Sequence, residues 1–443
     1  MSIYSMRVKN YKTITDSEIE FRGNLSGIYG PNGTGKTAIL EVLNIVKEYF
    51  LSTVGNENTE NLKRKILEGV SIGTDTMLIE TIFYLEDTLY KLVLEFKIEG
   101  NNVYTLREEL FFKEPKLRRT FKSILKIINE ENEIFPKMFL GSSTKNTTEI
   151  FKYLSLSQKN ILIEFNNFHS YLGIILRSYD KNLVSQKNLK FEEFITKFKY
   201  VCETLSGMVI VFLKEQALYN LGLLIPLNIH TEKAHGVIPI NLEKEANIYP
   251  KEIAEVIENV ISQIGALFSS IVPKSKLIIK KEMVISTEES QKFAINIYVE
   301  KNEKIIPLAK ESTGIIKLVS LLSAMVYYVK DENAIVAIDE LDIHIFEYLL
   351  ATLLEKLSLY AKGQLIFTAH NLLPLEKLNK DSIIISTKND RNDIEYTYLK
   401  GISATTNLRQ KYLKSQRMWS EDNIEPLLMN ISALEMYVKK LVM

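Results

Sequence analysis

Eight consecutive residues, Gly30-Pro31-Asn32-Gly33-Thr34-Gly35-Lys36-Thr37, match at every fixed place the pattern glycine, four variable positions, glycine, lysine, then serine or threonine. Glycines in such a run let backbone N–H groups turn inward around phosphate oxygens without a Cβ in the way. The segment that follows, Ala38 to Phe50, carries apolar residues at steps of three and four, so it reads as a helix whose positive N-terminal end faces the same oxygens. Gly30, Asn32, Gly33, Thr34, Gly35, Lys36, Thr37 and Ala38 therefore form a candidate triphosphate cradle. In it, Lys36 reaches the β- and γ-phosphates and the Thr37 hydroxyl ligates Mg2+.

A phosphate cradle with a metal needs an acid, and Asp339 is placed to supply one. The run Ala334 to Ile338 is short, uncharged and rich in β-formers, as expected of a strand buried on both faces, and it ends in Asp339-Glu340. Asp339 is expected to hold Mg2+ and Glu340 to polarise the attacking water. His370 follows a second buried run, Gln364 to Thr368, at the position of a γ-phosphate sensor. Ser312-Thr313-Gly314 opens an apolar helix ahead of the acidic strand, which gives a second helix end suited to an anion. His169, His230, His235 and His344 show no ligand spacing and read as structural.

The elements that must position these groups follow from patterning. Short strands are expected near Ile3 to Val8, Glu18 to Phe21 and Leu25 to Tyr29, the last running into the glycine turn. Met77 to Tyr84 and Tyr90 to Ile98, extended by Val103 to Phe112, read as an antiparallel β flap. From Lys116 to about Ser270 the Leu/Ile-rich runs read as an inserted, mostly helical region without sustained heptads. Strand alternation returns at Phe293, Ile295, Ile297 and Val299. Helices are expected over Ile315 to Val329 and Phe346 to Tyr360, with a further buried strand at Ser382 to Ile385. The expected division is 1–115 for the N-terminal half of an α/β nucleotide-binding head, 116–275 for the insertion, and 276–443 for the C-terminal half.

Composition narrows the rest. Of 443 residues, 55 are Lys or Arg and 55 are Asp or Glu, so no global charge recruits nucleic acid or a membrane surface. The single cysteine, Cys202, excludes a disulfide framework and paired-cysteine zinc sites, and fits a reducing cytoplasm. Gly314 to Val329 holds Lys317 and is shorter than the ~20 residues that span a bilayer, while Leu205 to Ile229 is broken by Lys214, Glu215 and Asn220. Both read as buried helices, with no membrane partner. Two local basic clusters, Lys113, Lys116, Arg118, Arg119, Lys122 and Lys126, then Arg409, Lys411, Lys414 and Arg417, keep DNA contact open, with Tyr412 and Trp419 as stacking aromatics. Thr387-Lys388-Asn389-Asp390 imitates a guanine-specificity motif, but the chain has Asp339-Glu340 in place of the switch glycine motif of GTPases.

With these motifs in hand, the chain resembles the ABC/SMC-like branch of P-loop ATPases. The opening MRVKNYKTI, followed by IEF before the glycine loop, is similar to the start of SMC, recombination-mediator and OLD-type ATPases. The resemblance covers roughly residues 1–115 and 275–400. It implies an ABC-type head in which Ser312 and Gly314 of one copy close over ATP held by another. It further implies that Asp342 is the D-loop aspartate and His370 the switch histidine. The signature is degenerate, KESTG where LSGGQ is usual, and no Q-loop glutamine is evident, Gln158 being a poor candidate. Lys12 stands where similar heads place a basic residue near phosphate. Without a zinc hook, SMC arms or room for a TOPRIM nuclease, the chain resembles compact ATPases of prokaryotic anti-phage systems such as the PARIS type. That implies ATP and Mg2+ as cofactors, a homodimer or higher oligomer, and an effector protein as partner. A recombination-mediator-like repair ATPase and a non-hydrolytic scaffold are the other readings.

Overall fold

A computed structural model describes residues 1–54, 59–85, 87–115, 120–129, 137–140, 199–202, 204–212, 224–230, 235–242, 244, 246–286, 291–400 and 407–415. Strands β1 (Ser2–Tyr11) and β2 (Ile14–Glu20) form a hairpin. Strand β3 (Leu25–Tyr29), buried at every residue, then leads through the glycine loop into α1 (Lys36–Val54), and α2 (Thr59–Gly69) follows. Strands β4 (Thr76–Leu85), β5 (Thr88–Glu99), β6 (Asn102–Lys113), β7 (Lys122–Ile128) and β8 (Lys137–Leu140) continue the hairpin into one antiparallel sheet of order β2-β1-β4-β5-β6-β7-β8. The expected flap is thus part of a larger sheet that includes the first two strands.

The chain then supplies β9 (Val209–Val211), the hairpin β10 (Leu224–His230) and β11 (His235–Asn241), and β12 (Asn247–Pro250). Helix α3 (Lys251–Ile271) precedes β13 (Ser275–Ser286), β14 (Gln291–Lys301) and β15 (Lys304–Pro307). Helix α4 (Thr313–Lys330) leads to β16 (Ile335–Ile338), α5 (Glu347–Ser358), β17 (Gln364–Thr368) and the short α6 (Pro374–Lys377). Strands β18 (Ile383–Lys388) and β19 (Ile394–Tyr398) and helix α7 (Leu408–Ser415) end the described chain.

The second large sheet positions the site. Its order is β19-β18-β3-β17-β16-β9, and every neighbouring pair is parallel except β18 with β19. Because β3, β17 and β16 run the same way, their C-terminal ends open on one edge, where ligands of parallel sheets bind. The glycine loop and the acid pair leave that edge from strands two places apart, with β17 between them.

Alternation inside these uncharged strands sends side chains to two cores. Ile335, Ala337 and Ile366 face α1, whose Ile39, Val42, Leu43, Val46, Tyr49 and Phe50 also pack on the inner face of the antiparallel sheet. Val336, Ile338, Leu365 and Phe367 face the other way, onto Leu321, Met325 and Tyr328 of α4 and Leu350 and Leu354 of α5. A third core lies under α3, where Ala254, Ile257, Ile261, Ile264 and Phe268 make a stripe at helical spacing against Ile295, Ile297 and Val299 of β14. Each of those larger side chains contributes about 2 kcal/mol by leaving water. Helix α4 is long and apolar enough by composition to cross a membrane, yet it packs against α3, β10 and the parallel sheet, with Leu318, Val319, Leu321 and Leu322 buried.

Much of 116–275, expected to be mostly helical, lies outside the described residues, and its described part is mixed. Six strands, β7 to β12, fall inside it, and only α3 is a long helix there. Strands β7 and β8 extend the antiparallel sheet, while β9 pairs with β16 at the edge of the parallel sheet. The run Leu205 to Ile229, expected as a helix, contains β9 and most of β10. Short apolar runs fit a buried strand as well as a buried helix, and periodicity alone does not separate them. Gln158, His169, Lys116, Arg118, Arg119, Arg417 and Trp419 lie outside the described residues.

Candidate active site

The glycine loop is shaped by backbone requirements that its residues meet. Gly33 and Gly35 have φ of +81° and +78°, a region where a side chain is strained. Gly30 is held differently: a Cβ there would lie 2.2 Å from the Ser386 carbonyl oxygen, because β18 passes directly beneath. The loop is braced from that side. The Thr34 hydroxyl meets the Ser386 hydroxyl, Ser386 Oγ donates to the Thr34 carbonyl at 2.9 Å, and Tyr396 Oη donates to the Gly35 carbonyl at 2.9 Å. Burial pushes the Tyr396 phenol up, so it stays a donor. Asn32 and Gly33 are exposed at the loop tip, and Ala38 is buried under the first turn of α1.

Lys36 begins α1 and folds back over the loop, donating to the carbonyls of Gly30 at 2.7 Å and Pro31 at 2.9 Å. Burial lowers its pKa, and the carboxylates of Glu340, Asp339 and Asp342 oppose that shift. Thr37 points its hydroxyl at Asp339, 3.0 Å from Oδ1 and 3.2 Å from Oδ2. The loop and the acid strand are therefore in direct contact across about three hundred residues of sequence.

Asp339 is 4% exposed, and its backbone N–H donates to the Val211 carbonyl of β9 at 2.8 Å. Burial raises its carboxyl pKa, and the hydroxyls of Thr368 and Thr37 pull against that rise. Thr368, at the end of β17, was not singled out from the sequence. Its Oγ1 donates to Asp339 Oδ1 at 2.7 Å and accepts from the Glu340 backbone N–H at 2.7 Å. One hydroxyl thus ties both acids to the strand that carries His370. Its spacing from them resembles any strand-end threonine, so only tertiary contact reveals it.

Glu340 has φ of +47°, a left-handed conformation uncommon for a residue with a Cβ. Its carbonyl accepts from the Nζ of Lys317, 3.2 Å away, on the second turn of α4. Lys317 is 8% exposed, and burial pulls its pKa down to about 8 against the raising influence of Asp342, Glu340 and Asp339. The sequence marked this lysine only as a break in an apolar run.

Asp342 and His370 are joined, though through the backbone. Asp342 Oδ2 accepts from the N–H groups of His370 at 2.9 Å and Asn371 at 2.7 Å, which fixes the loop after β17. The imidazole of His370 is exposed. Ser312 is exposed and caps α4, its Oγ accepting from the Ile315 N–H at 3.4 Å. A Cβ on Gly314 would lie 2.7 Å from the His344 carbonyl oxygen, so the first turn of α4 rests on the loop after the acid pair. Lys12, at φ +52°, pairs with Glu41 of α1.

Thr37 and Asp339 offer Mg2+ the hard oxygen donors it prefers, and few protein ligands suffice when phosphate oxygens supply the others. Among the described residues no cluster of three or more His, Cys, Asp or Glu competes as a metal site. The glycine cradle, the buried ammonium of Lys36 and the N-terminus of α1 together suit a triphosphate. Thr387 to Asp390 is different: Thr387 and Lys388 end β18, and Asn389 Oδ1 accepts from the N–H groups of Arg391 and Asp393 in the β18–β19 turn.

A braced glycine loop facing an acid-ended strand, with one parallel strand between them, defines a P-loop ATPase head of the ABC/SMC-like class. The chain belongs to the AAA ATPase domain family, whose model matches residues 1–372. It is 26% identical over 200 residues to the DNA double-strand break repair Rad50 ATPase of Methanocaldococcus jannaschii, a match covering 41% of this chain and 18% of that protein. It is 29% identical over 132 residues to the DNA replication and repair protein RecF of Francisella tularensis subsp. novicida, covering 30% of this chain and 34% of that protein. These matches therefore span well under half the length of either relative. Among solved structures, the SMC head domain from Thermotoga maritima aligns over 90% of this chain and all of that one, at 14% identity and a TM-score of 0.40.

Proposed function

We propose that this chain hydrolyses ATP to ADP and phosphate in a Mg2+-dependent reaction, and that pairing of two copies across the nucleotide controls an effector protein. The observation that supports hydrolysis is the Thr37–Asp339–Thr368–Glu340 chain of contacts, which brings cradle and acids to one place. Lys36 exchanges the carbonyls of Gly30 and Pro31 for phosphate oxygens. Thr37 and Asp339 hold the metal, which supplies charge neutralisation at the phosphates when bound. Glu340 accepts a proton from the attacking water, and His370 orients that water or the γ-phosphate from the loop that Asp342 fixes. Ser312 and Gly314, at the exposed end of α4, close over the other copy's nucleotide. Glu340→Gln is expected to abolish phosphate release while nucleotide stays bound; wild-type turnover in that variant refutes the assignment of Glu340.

The effector reading rests on resemblance to compact ATPases of anti-phage systems, acting in the cytoplasm. Co-purification of the Glu340→Gln protein with the products of neighbouring genes tests it. A DNA-repair role is the second reading, favoured by the double-strand break repair and replication-repair proteins among the relatives. DNA-stimulated turnover that falls steeply with salt supports it; a flat response to DNA counts against it.

A further inference from the structure

Glu340 occupies a left-handed conformation that a residue with a Cβ holds only when its surroundings fix it. Its peptide groups are gripped on both sides, the N–H by Thr368 Oγ1 at 2.7 Å and the carbonyl by Lys317 Nζ at 3.2 Å. Lys317 sits in a buried stretch of α4 between Ile316 and Leu318, where an apolar side chain avoids the desolvation of an ammonium. Helix α4 also touches the other end of the same loop, where Gly314 rests on the His344 carbonyl. The first two turns of the helix thus hold the loop at residue 340 and at residue 344. Lys317 lies five residues beyond Ser312, roughly 7.5 Å along the helix axis.

We infer that Lys317 is a positioning residue for Glu340: it fixes the turn that carries the water-activating carboxylate and ties that turn to the helix whose exposed end is Ser312. This rests on the ATPase reading above. The hydrogen bond of Lys317 goes to the Glu340 carbonyl. A displacement of the first turn of α4, where a second copy docks in that reading, moves Lys317 as a rigid part of the helix and shifts the acid with it. The competing role is structural, the ammonium only neutralising Asp339, Glu340 and Asp342, and it predicts different kinetics.

The full chain is purified as wild type, Lys317→Met, Lys317→Gln and Lys317→Arg. Steady-state ATP turnover, affinity for a fluorescent ATP analogue and melting temperature are measured for each. A positioning role predicts that Lys317→Met loses roughly 10- to 100-fold in kcat, with KM and analogue affinity within about twofold of wild type. Lys317→Arg recovers most of the rate, since it restores a cationic donor. Unchanged kcat in Lys317→Met overturns the inference. So does a parallel loss of affinity, kcat and melting temperature that arginine does not rescue. Should Lys317→Met fail to fold, the glutamine and arginine variants decide: turnover in Lys317→Gln equal to wild type overturns the role, and a deficit that arginine repairs supports it. Wild-type protein that binds the analogue without releasing phosphate is a separate result, which sinks the ATPase reading itself.

Discussion

At the residue scale, the site depends on hydroxyls as much as on charges. Burial pushes the Asp339 carboxyl pKa up, and Thr368 and Thr37, which both donate to it, pull against that rise. Replacing Thr368 by valine removes a donor to Asp339 and an acceptor for the Glu340 N–H without changing the shape of the side chain. Leaving such groups unsatisfied costs about 1–3 kcal/mol, and displacing the acid lowers turnover by roughly 10- to 100-fold. Thr368→Ser is expected to stay near wild type, and an ATPase assay on the pair checks it. Chelating Mg2+ with EDTA is expected to stop turnover in the wild type, and restoring Mg2+ to recover it. Thr37, Lys36 and the acid pair were legible in the sequence because fixed local spacing encodes them. Thr368 and Lys317 were not, since each acts on residues more than twenty positions away in sequence, and nothing local distinguishes a strand-end threonine or a helix lysine.

At the element scale, the parallel sheet does the positioning, and β18 braces the loop from below. A Cβ at Gly30 collides with the β18 backbone at Ser386, and backbone cannot swing aside as a side chain can. Gly30→Ala is therefore expected to destabilise the fold by about 1–3 kcal/mol and to weaken nucleotide binding; thermal melting and analogue titration report the two effects. Wild-type values for both would mean that the loop is not seated on β18. The buried strands β3, β16 and β17 could be read from uncharged β-prone runs, and α1 and α4 from helical spacing. The described part of 116–275 holds strands as well as a helix because its apolar runs are short, and short apolar runs fit either element. Strand β9, three β-branched residues that join the parallel sheet beside β16, lies inside the longer apolar run that reads as a helix. The hairpin partner β19 was also not anticipated, though its Tyr396 braces Gly35.

At the scale of the whole molecule, balanced charge extends to the surface. On the outer face of the antiparallel sheet Arg7 pairs with Asp16 and Glu80, Lys91 with Glu80, Arg107 with Glu95, and Lys126 with Glu109. Arg409 pairs with Glu376, and Tyr412 is buried, so that aromatic is a core residue and no stacking platform. DNA contact at Lys126 and Arg409 thus competes with ion pairs already made. Pairing of heads has a direct readout: Glu340→Gln with ATP and Mg2+ is expected to double in mass by light scattering, and Ser312→Arg to prevent it. The central claim is that one triphosphate lodges in the Gly30–Thr37 loop, and calorimetric titration with a non-hydrolysable ATP analogue and Mg2+ tests it most directly. The account predicts one site per chain in the wild type and in Glu340→Gln, and none in Lys36→Ala. Undiminished binding by Lys36→Ala, or no binding by the wild type, would contradict it.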